Sequence, residues 1–545
     1  MIKENNKIDK LRGGYYTPES VAKWLTEWAI RSGSNRILEP SCGDGAFLSS
    51  AISKLQSYEN ISSEIIGIEL IRNEAKKATE IVSEFPCVKI ICDDFFNWIC
   101  SAKAASFDVV IGNPPFIRYQ HFPEPSRSLA MKYMEKQGLR PNRLTNIWVP
   151  FVVAGTVLLR DGGRLAMVLP AELLQVTYAA QLRQFLADSF KSISIYACNQ
   201  MFFKKAEQEV LLVLAENKLA EPTSKNMCDV SLVEAGNMEE LLRVKPKTKR
   251  KKSARKYIQH DSEKWLKYFL NKEEIQFIRT LKNHEAIGTL SDHASIDIGV
   301  VTGKNEFFVV SREQVEQYCL ENYVTPIVCR SSQLLGTVLR KREHAEFANS
   351  GKPVYLLTIS EPNRKKFPKG LRDLIIYGER QGFNRTYKCR IRKSWYNVPS
   401  IWKPNCFFFR QIYDFPRAVV NKAGATSTDT IHRMQCKRSA SQVAANLYTH
   451  LTAASAEIEG RSYGGGVLEL EPTEAERLLI PKELDGAMTI VEADKLVRRS
   501  RLTDVLEYND RVVLQGGLGL SKNDCRMLNQ IWSRMRDRRM SRKRR

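Results

Sequence analysis

With 545 residues, 84 Lys and Arg against 61 Asp and Glu, and a formal net charge of +23, the chain is strongly basic. That length implies two or more domains, and 43% apolar with 27% charged residues is a globular rather than a disordered or fibrous composition. The charge surplus favours a polyanionic partner. No apolar run is long enough to cross a bilayer and MIKENNKIDKL lacks a hydrophobic centre, so nucleic acid is expected over membrane, in a cytoplasmic setting. The twelve cysteines form no Cys-x-x-Cys pair and the seven histidines do not cluster, so neither a metal site nor a disulfide framework is expected.

In chain order, strand-like runs alternate with helical ones, the pattern of an α/β parallel sheet. RILEP (36–40) is predicted as a strand, AFLSSAISKL (46–55) as the helix after it, EIIGIEL (64–70) as a second strand, VKIIC (88–92) as a third and FDVVI (107–111) as a fourth. A helix through WVPFVVAGTVLL precedes a fifth strand, RLAMVLP (164–170). SISIYA (192–197) and EVLLVLAE (209–216) complete a seven-stranded sheet, close enough in sequence to pair antiparallel. The reading divides the chain into a first domain over 1–220, a basic linker over 221–262 containing KPKTKRKKSARK (245–256), and a mixed α+β domain over 263–545 with a frayed basic tail, RMRDRRMSRKRR. In that second half short strands such as PVYLLTI (353–359) and NCFFFRQI (405–412) lie among Arg- and aromatic-rich loops.

ILEPSCGDGAFL (37–48) is a strand, an acid, a Gly-rich turn and a helix. Gly43 and Gly45 suit a tight turn that lets a ligand approach the backbone, but the dinucleotide glycine spacing and a P-loop lysine are missing. Glu39 and Asp44 make the loop negative. Carboxylates repel phosphate and suit a ligand bearing an ammonium or sulfonium, and S-adenosyl-L-methionine bears both. Glu69, ending the second strand, is placed to take two ribose hydroxyls; Asp94 and Phe95, after the third, can accept from an adenine amine and cover its ring. Ligands bind at the carboxyl ends of such strands.

Five motifs then fall into a familiar order: GGYYTP (13–18), EPSCGDGAFL (39–48), GIEL (67–70), DDFF (93–96) and NPPF (113–116). Over about residues 11–216 the chain resembles the TaqI-like, gamma-class DNA adenine-N6 methyltransferases. The resemblance implies a Rossmann-like domain binding S-adenosyl-L-methionine, with Tyr16, Thr17 and Pro18 around its methionine end and Pro40 in the loop; Cys42 sits where that family varies and is assigned no chemistry.

The stretch GNPPF has a chemical rationale. An exocyclic adenine nitrogen is a poor nucleophile because its lone pair is delocalised into the ring. Two acceptors that take its two N–H bonds pull it toward sp³ geometry. Asn113 offers its side-chain oxygen and Pro114 its carbonyl, which Pro114 and Pro115 hold rigidly. Phe116 would stack on a base flipped out of the duplex. QMFFKKAEQEV (200–210) resembles the family segment that supplies a second stacking aromatic, here Phe202 or else Phe203.

Beyond the motifs, GVVTGKNEFFVV (299–310), ATSTDTIHR (425–433) and RSYGGGVLELEP (461–472) carry Gly, small polar and basic residues, as in the recognition domains of larger Eco-type enzymes. Lys304, Asn305, Arg433, Arg461 and Tyr463 are the candidate contacts to double-stranded DNA. VEADKL (491–496) lacks the partner acid that a nuclease centre needs, so a cognate restriction endonuclease is expected to be a separate chain. Two alternatives stay open: the same Asn-Pro-Pro chemistry on RNA or on protein glutamine, and a catalytically inactive DNA-binding relative.

Overall fold

A computed structural model describes residues 17–198, 209–224, 227–244, 260, 263–360 and 363–541. The chain divides into two compact units, one of residues 1–272, 463–465 and 541–545, the other of 273–462 and 466–540. No described helix is long and apolar enough to cross a membrane.

The first unit is α/β. Its sheet has eight strands: β1 (Arg36–Glu39), β2 (Glu64–Glu69), β3 (Val88–Cys92), β4 (Phe107–Gly112), β5 (Leu159–Pro170), β6 (Phe190–Cys198), β7 (Val210–Lys218) and β8 (Asp229–Ala235). They lie in the order β3-β2-β1-β4-β5-β7-β6-β8. β1 to β5 run parallel and β7 lies antiparallel between β5 and β6. β4 is buried at every residue, which is why FDVVIG shows no alternation; its one charged residue, Asp108, is buried with Arg160 and the Arg36 N–H as partners. On one face, the helices Glu19–Ala29 and Ala46–Leu55 share a core with Ile37, Ile65, Val109, Ile111, Ala166 and Leu212. The register sets Glu39 beside Gly67 and Glu69 beside Cys92, so the acids of β1 and β2 emerge at the same edge.

The sheet gains a strand over the expected seven. β8 pairs in parallel with β6 and is followed by the helix Met238–Arg243, so residues 229–243 are part of the fold rather than linker. Burial along β8 does not alternate, with Val230, Ser231 and Ala235 buried, and a seven-residue strand at the sheet edge has only a weak sequence pattern. The basic run 245–256 lies outside the described residues.

The second unit is mixed α+β. A five-stranded sheet runs Ala294–Asp297, Ile431–Cys436, Cys406–Phe409, Ala418–Asn421 and Val338–Leu339, mostly antiparallel. Helices that the sequence reading did not place occupy Lys272–Lys282, Lys369–Arg380, His450–Glu459 and Lys522–Met540. The tail is therefore not frayed through 540. Arg539 is 1% exposed and its guanidinium meets Glu457 at 2.5 Å, so a carboxyl-terminal arginine anchors the last helix; residues 542–545 lie outside the described residues.

Candidate active site

One cavity opens at the carboxyl ends of β1, β2, β3 and β4, and its wall includes Thr17, Glu39, Pro40, Gly43, Asp44, Glu69, Asp94, Phe95, Asn113 and Pro115. These come from five separate motifs. What brings them together is the parallel order of four strands, each ending in the same direction.

Glu39 ends β1 with 1% exposure, and its Oε2 has no hydrogen-bond partner among the described residues. Burial, and then the charges of Glu69 and Asp44, push its carboxyl well above the usual range. Asp44 and Glu69 are raised as well, in each case chiefly by burial. The backbone opposes part of this at Glu69: Gly43 N–H donates to Oε2 at 2.9 Å and Ile71 N–H to Oε1 at 2.8 Å. Three partly desolvated acids around one space form a cation-seeking pocket.

The loop between β1 and its helix depends on Gly45, whose φ of +92° is a left-handed conformation that a side chain would strain. Cys42 is buried behind the loop, with its sulfur 3.2 Å from where a Cβ on Gly67 would stand, so it packs β2 against the turn. Pro18 and Gly45 do not line the cavity; Pro18 caps the helix Glu19–Ala29, its carbonyl accepting from Val21 and Ala22 N–H.

Asp94 caps the short helix Phe95–Trp98, its Oδ1 accepting from Phe96 N–H at 2.8 Å. Phe95 is held by stacking on Phe151, with centroids 5.1 Å apart and planes 17° from parallel. Phe151 and Phe122 also line the cavity, and sequence reasoning passed over both. Phe151 lies in the helix Trp148–Leu158, which is buried on all sides and has no apolar face to single it out.

β4 ends at Gly112, where φ is +148°, and Asn113 follows. The Asn113 Nδ2 donates to the Thr17 hydroxyl at 3.2 Å, and the Ser41 hydroxyl donates to the Asn113 carbonyl at 3.4 Å. Pro114 is buried; Phe116 is half-buried against the core, and neither lines the cavity itself. Tyr16, Phe202 and Phe203 lie outside the described residues.

The DNA contacts expected in the carboxyl-terminal half of the chain fare unevenly. Arg433 is 2% exposed and its guanidinium donates to the carbonyls of Ile298 and Ser400 and to Asp297. It also lies over Trp402, so it fastens strands together and offers no surface to DNA. Most of ATSTDTIHR is interior too, with Thr426, Ser427 and Thr428 fully buried and Thr430 exposed. Arg461 is mostly buried and its Nε donates to buried Glu474 at 2.9 Å. Lys304 pairs with Glu306 at 2.8 Å and lies over Phe383; Asn305 is exposed, its Oδ1 accepting from the Thr302 hydroxyl; Tyr463 is exposed. Asp494, from VEADKL, accepts from Thr337 N–H, Arg340 and Arg498, which draws its carboxyl below the usual range despite burial.

Residues 41–203 match the family model described as Eco57I restriction-modification methylase, and residues 262–514 match the C-terminal domain of the type II methyltransferase M.Eco57I. The type II methyltransferase M.AccI of Acinetobacter calcoaceticus is 23% identical over 84% of this chain and 83% of its own length. M.XamI of Xanthomonas campestris pv. amaranthicola is 21% identical, covering 86% and 85%. The crystal structure of the type IIG restriction endonuclease BpuSI aligns with 97% of this chain and 66% of its own at 13% identity, with a TM-score of 0.39.

The cavity fits S-adenosyl-L-methionine, which is the cofactor of this fold: its cationic groups answer the unpartnered Glu39 oxygen and the carboxylates around it, and Phe95 offers an aromatic face. Through both of its halves, the chain is similar to the Eco57I-type restriction-modification methylases, and over most of its length to type II methyltransferases.

Proposed function

We propose that this chain is a sequence-specific DNA methyltransferase that modifies the N6 amine of a flipped-out adenine, as the modification component of a restriction-modification system. The observation that carries the reading is Asn113, set by β4 in the wall of the carboxylate-lined cavity with its amide held by Thr17. Glu39 and Asp44 would bind the cationic end of the cofactor, Glu69 its ribose hydroxyls, and Asp94 and Phe95 its adenine. When bound, S-adenosyl-L-methionine supplies an electrophilic methyl group on a sulfonium.

The chain's own residues prepare the target nitrogen. With Nδ2 engaged by Thr17, the Asn113 Oδ1 is the atom that accepts one N–H of the adenine amine, and the Pro114 carbonyl accepts the other. The nitrogen shifts toward sp³, its lone pair leaves conjugation, and the nitrogen, once it carries the methyl group and a positive charge, releases one of the held protons to solvent water. Preorganised acceptors do most of this work, so a strong general base is not required. Phe116 would stack on the flipped base, recovering about 1–3 kcal/mol of the cost of unstacking it.

The test is genomic DNA from cells expressing the protein, read by single-molecule sequencing beside an Asn113→Ala control. N6-methyladenine in one short context, lost by at least about 10²-fold in the control, is the expected result. Unmodified adenine from a protein that still binds S-adenosyl-L-methionine would overturn the reading.

A further inference from the structure

Arg433 and Arg461 are spent on structure, which leaves the second unit in need of other cations to meet DNA. The helix Lys369–Arg380 turns Leu371, Leu374 and Ile375 into a core with Phe307 and Trp395. Its opposite face is exposed and carries two ridges at four-residue spacing: Arg372, Ile376 and Arg380, and beside them Lys369, Asp373 and Tyr377. Ile376 is 44% and Tyr377 49% exposed, so apolar and aromatic surface lies among the cations.

Charge around this helix is one-sided. Residues 363–413 hold thirteen Lys and Arg and only two acids, Asp373 and Glu379. Glu379 is turned away, accepting from Arg364 and from the Trp395 indole. Lys369, Arg372 and Arg380 have no acidic partner among the described residues. The next segment extends the pattern: Arg385, Lys388, Arg390 and Lys393 are exposed, and Tyr387 and Ile391 between them are more than half exposed. Self-repulsion among so many cations is a cost that a merely solvated face would lower by interspersing acids. A surface of unneutralised Arg and Lys with exposed aromatic and aliphatic side chains matches a polyanion whose phosphates take the charge.

We infer that the exposed face of the helix Lys369–Arg380, continued by residues 385–393, is the surface with which the second unit contacts the phosphate backbone of duplex DNA. This rests on the proposed DNA methyltransferase reading. The helix lays about 16 Å of cationic ridge along its axis, a length of duplex bearing on the order of ten phosphate charges. Arg372 and Arg380 supply phosphate contacts, while Tyr377 and Ile376 cover the sugar edge between them.

The test uses the full chain with Lys369→Gln, Arg372→Gln and Arg380→Gln combined, in fluorescence-anisotropy titrations against a duplex carrying the methylated site, from about 50 to 300 mM salt. Each phosphate contact removed flattens the slope of log affinity against log salt by about 0.9, so the variant slope should be shallower by about 2–3. The KM for DNA should rise, with kcat, S-adenosyl-L-methionine affinity and melting temperature unchanged. A wild-type enzyme that methylates DNA, with a variant that keeps the full slope, overturns this surface alone. A wild type that neither binds nor methylates duplex DNA, or that prefers RNA, overturns the underlying reading and this inference with it.

Discussion

The side-chain amide of Asn113 donates to the hydroxyl of Thr17 at 3.2 Å across 96 residues of sequence. One residue belongs to the loop that leaves β4, the other to the entry of the first described helix, and both line the same cavity. An asparagine amide can turn either way, and only one orientation presents oxygen to a substrate amine. In the structure the Thr17 hydroxyl accepts from Nδ2 and steadies the amide in that orientation.

Replacing Thr17 with Val should therefore lower kcat without a matching loss of cofactor affinity. The hydrogen bond is worth about 1 kcal/mol, or roughly fivefold in rate. Thr17→Ser keeps the hydroxyl and should restore kcat. Steady-state methylation with cofactor binding measured by calorimetry checks both; a Val variant with normal kcat would remove Thr17 from the positioning of Asn113.

Glu39 makes the ligand-free protein sensitive to pH. Its folded carboxyl is raised above the unfolded value, chiefly by burial and then by the charges of Glu69 and Asp44. In the window between the two values the unfolded chain is the one that ionises, so stability falls as pH rises from the ordinary carboxylate range through the raised one. Asp44 and Glu69 act in the same direction. Glu39→Gln should flatten the decline in melting temperature between pH 5 and pH 8. Losing a charge-assisted contact of roughly 1.5–3 kcal/mol should also weaken S-adenosyl-L-methionine binding by about 10–100-fold. Thermal melts and calorimetry at both pH values read the two effects; a steeper pH dependence in the variant would refute the assignment.

Arg433 separates a structural arginine from a DNA-contacting one. Arg433→Ala empties the space of a buried side chain and removes its hydrogen bonds to the carbonyls of Ile298 and Ser400, each worth about 0.5–1.5 kcal/mol, while Asp297 remains largely exposed and loses little. The second unit should lose about 2–4 kcal/mol of stability. The salt slope of DNA binding, measured on the protein that remains folded, should not change. A stable variant with a shallower slope would return Arg433 to the DNA surface.

The sequence determined the parallel half of the sheet, because strands buried on both faces carry near-continuous apolar runs, as VVI (109–111) and LAMVL (165–169) are. It also determined the acids that end those strands, since Glu39, Glu69 and Asp94 interrupt apolar runs where a strand meets a loop. The amphipathic helix Lys369–Arg380 went unread, because the surrounding basic residues masked the spacing of Leu371, Leu374, Ile375 and Gly378. Only the tertiary structure decided which charges are spent. Arg433 and Arg539 look like surface residues in a basic chain, yet each is buried against a distant acid, Asp297 lying 136 residues from Arg433 and Glu457 82 residues from Arg539. It likewise decided that Phe151 and Phe122 join the cavity and that Thr17 meets Asn113. Such pairings depend on how strands order and helices pack in three dimensions, and no local period or composition records them.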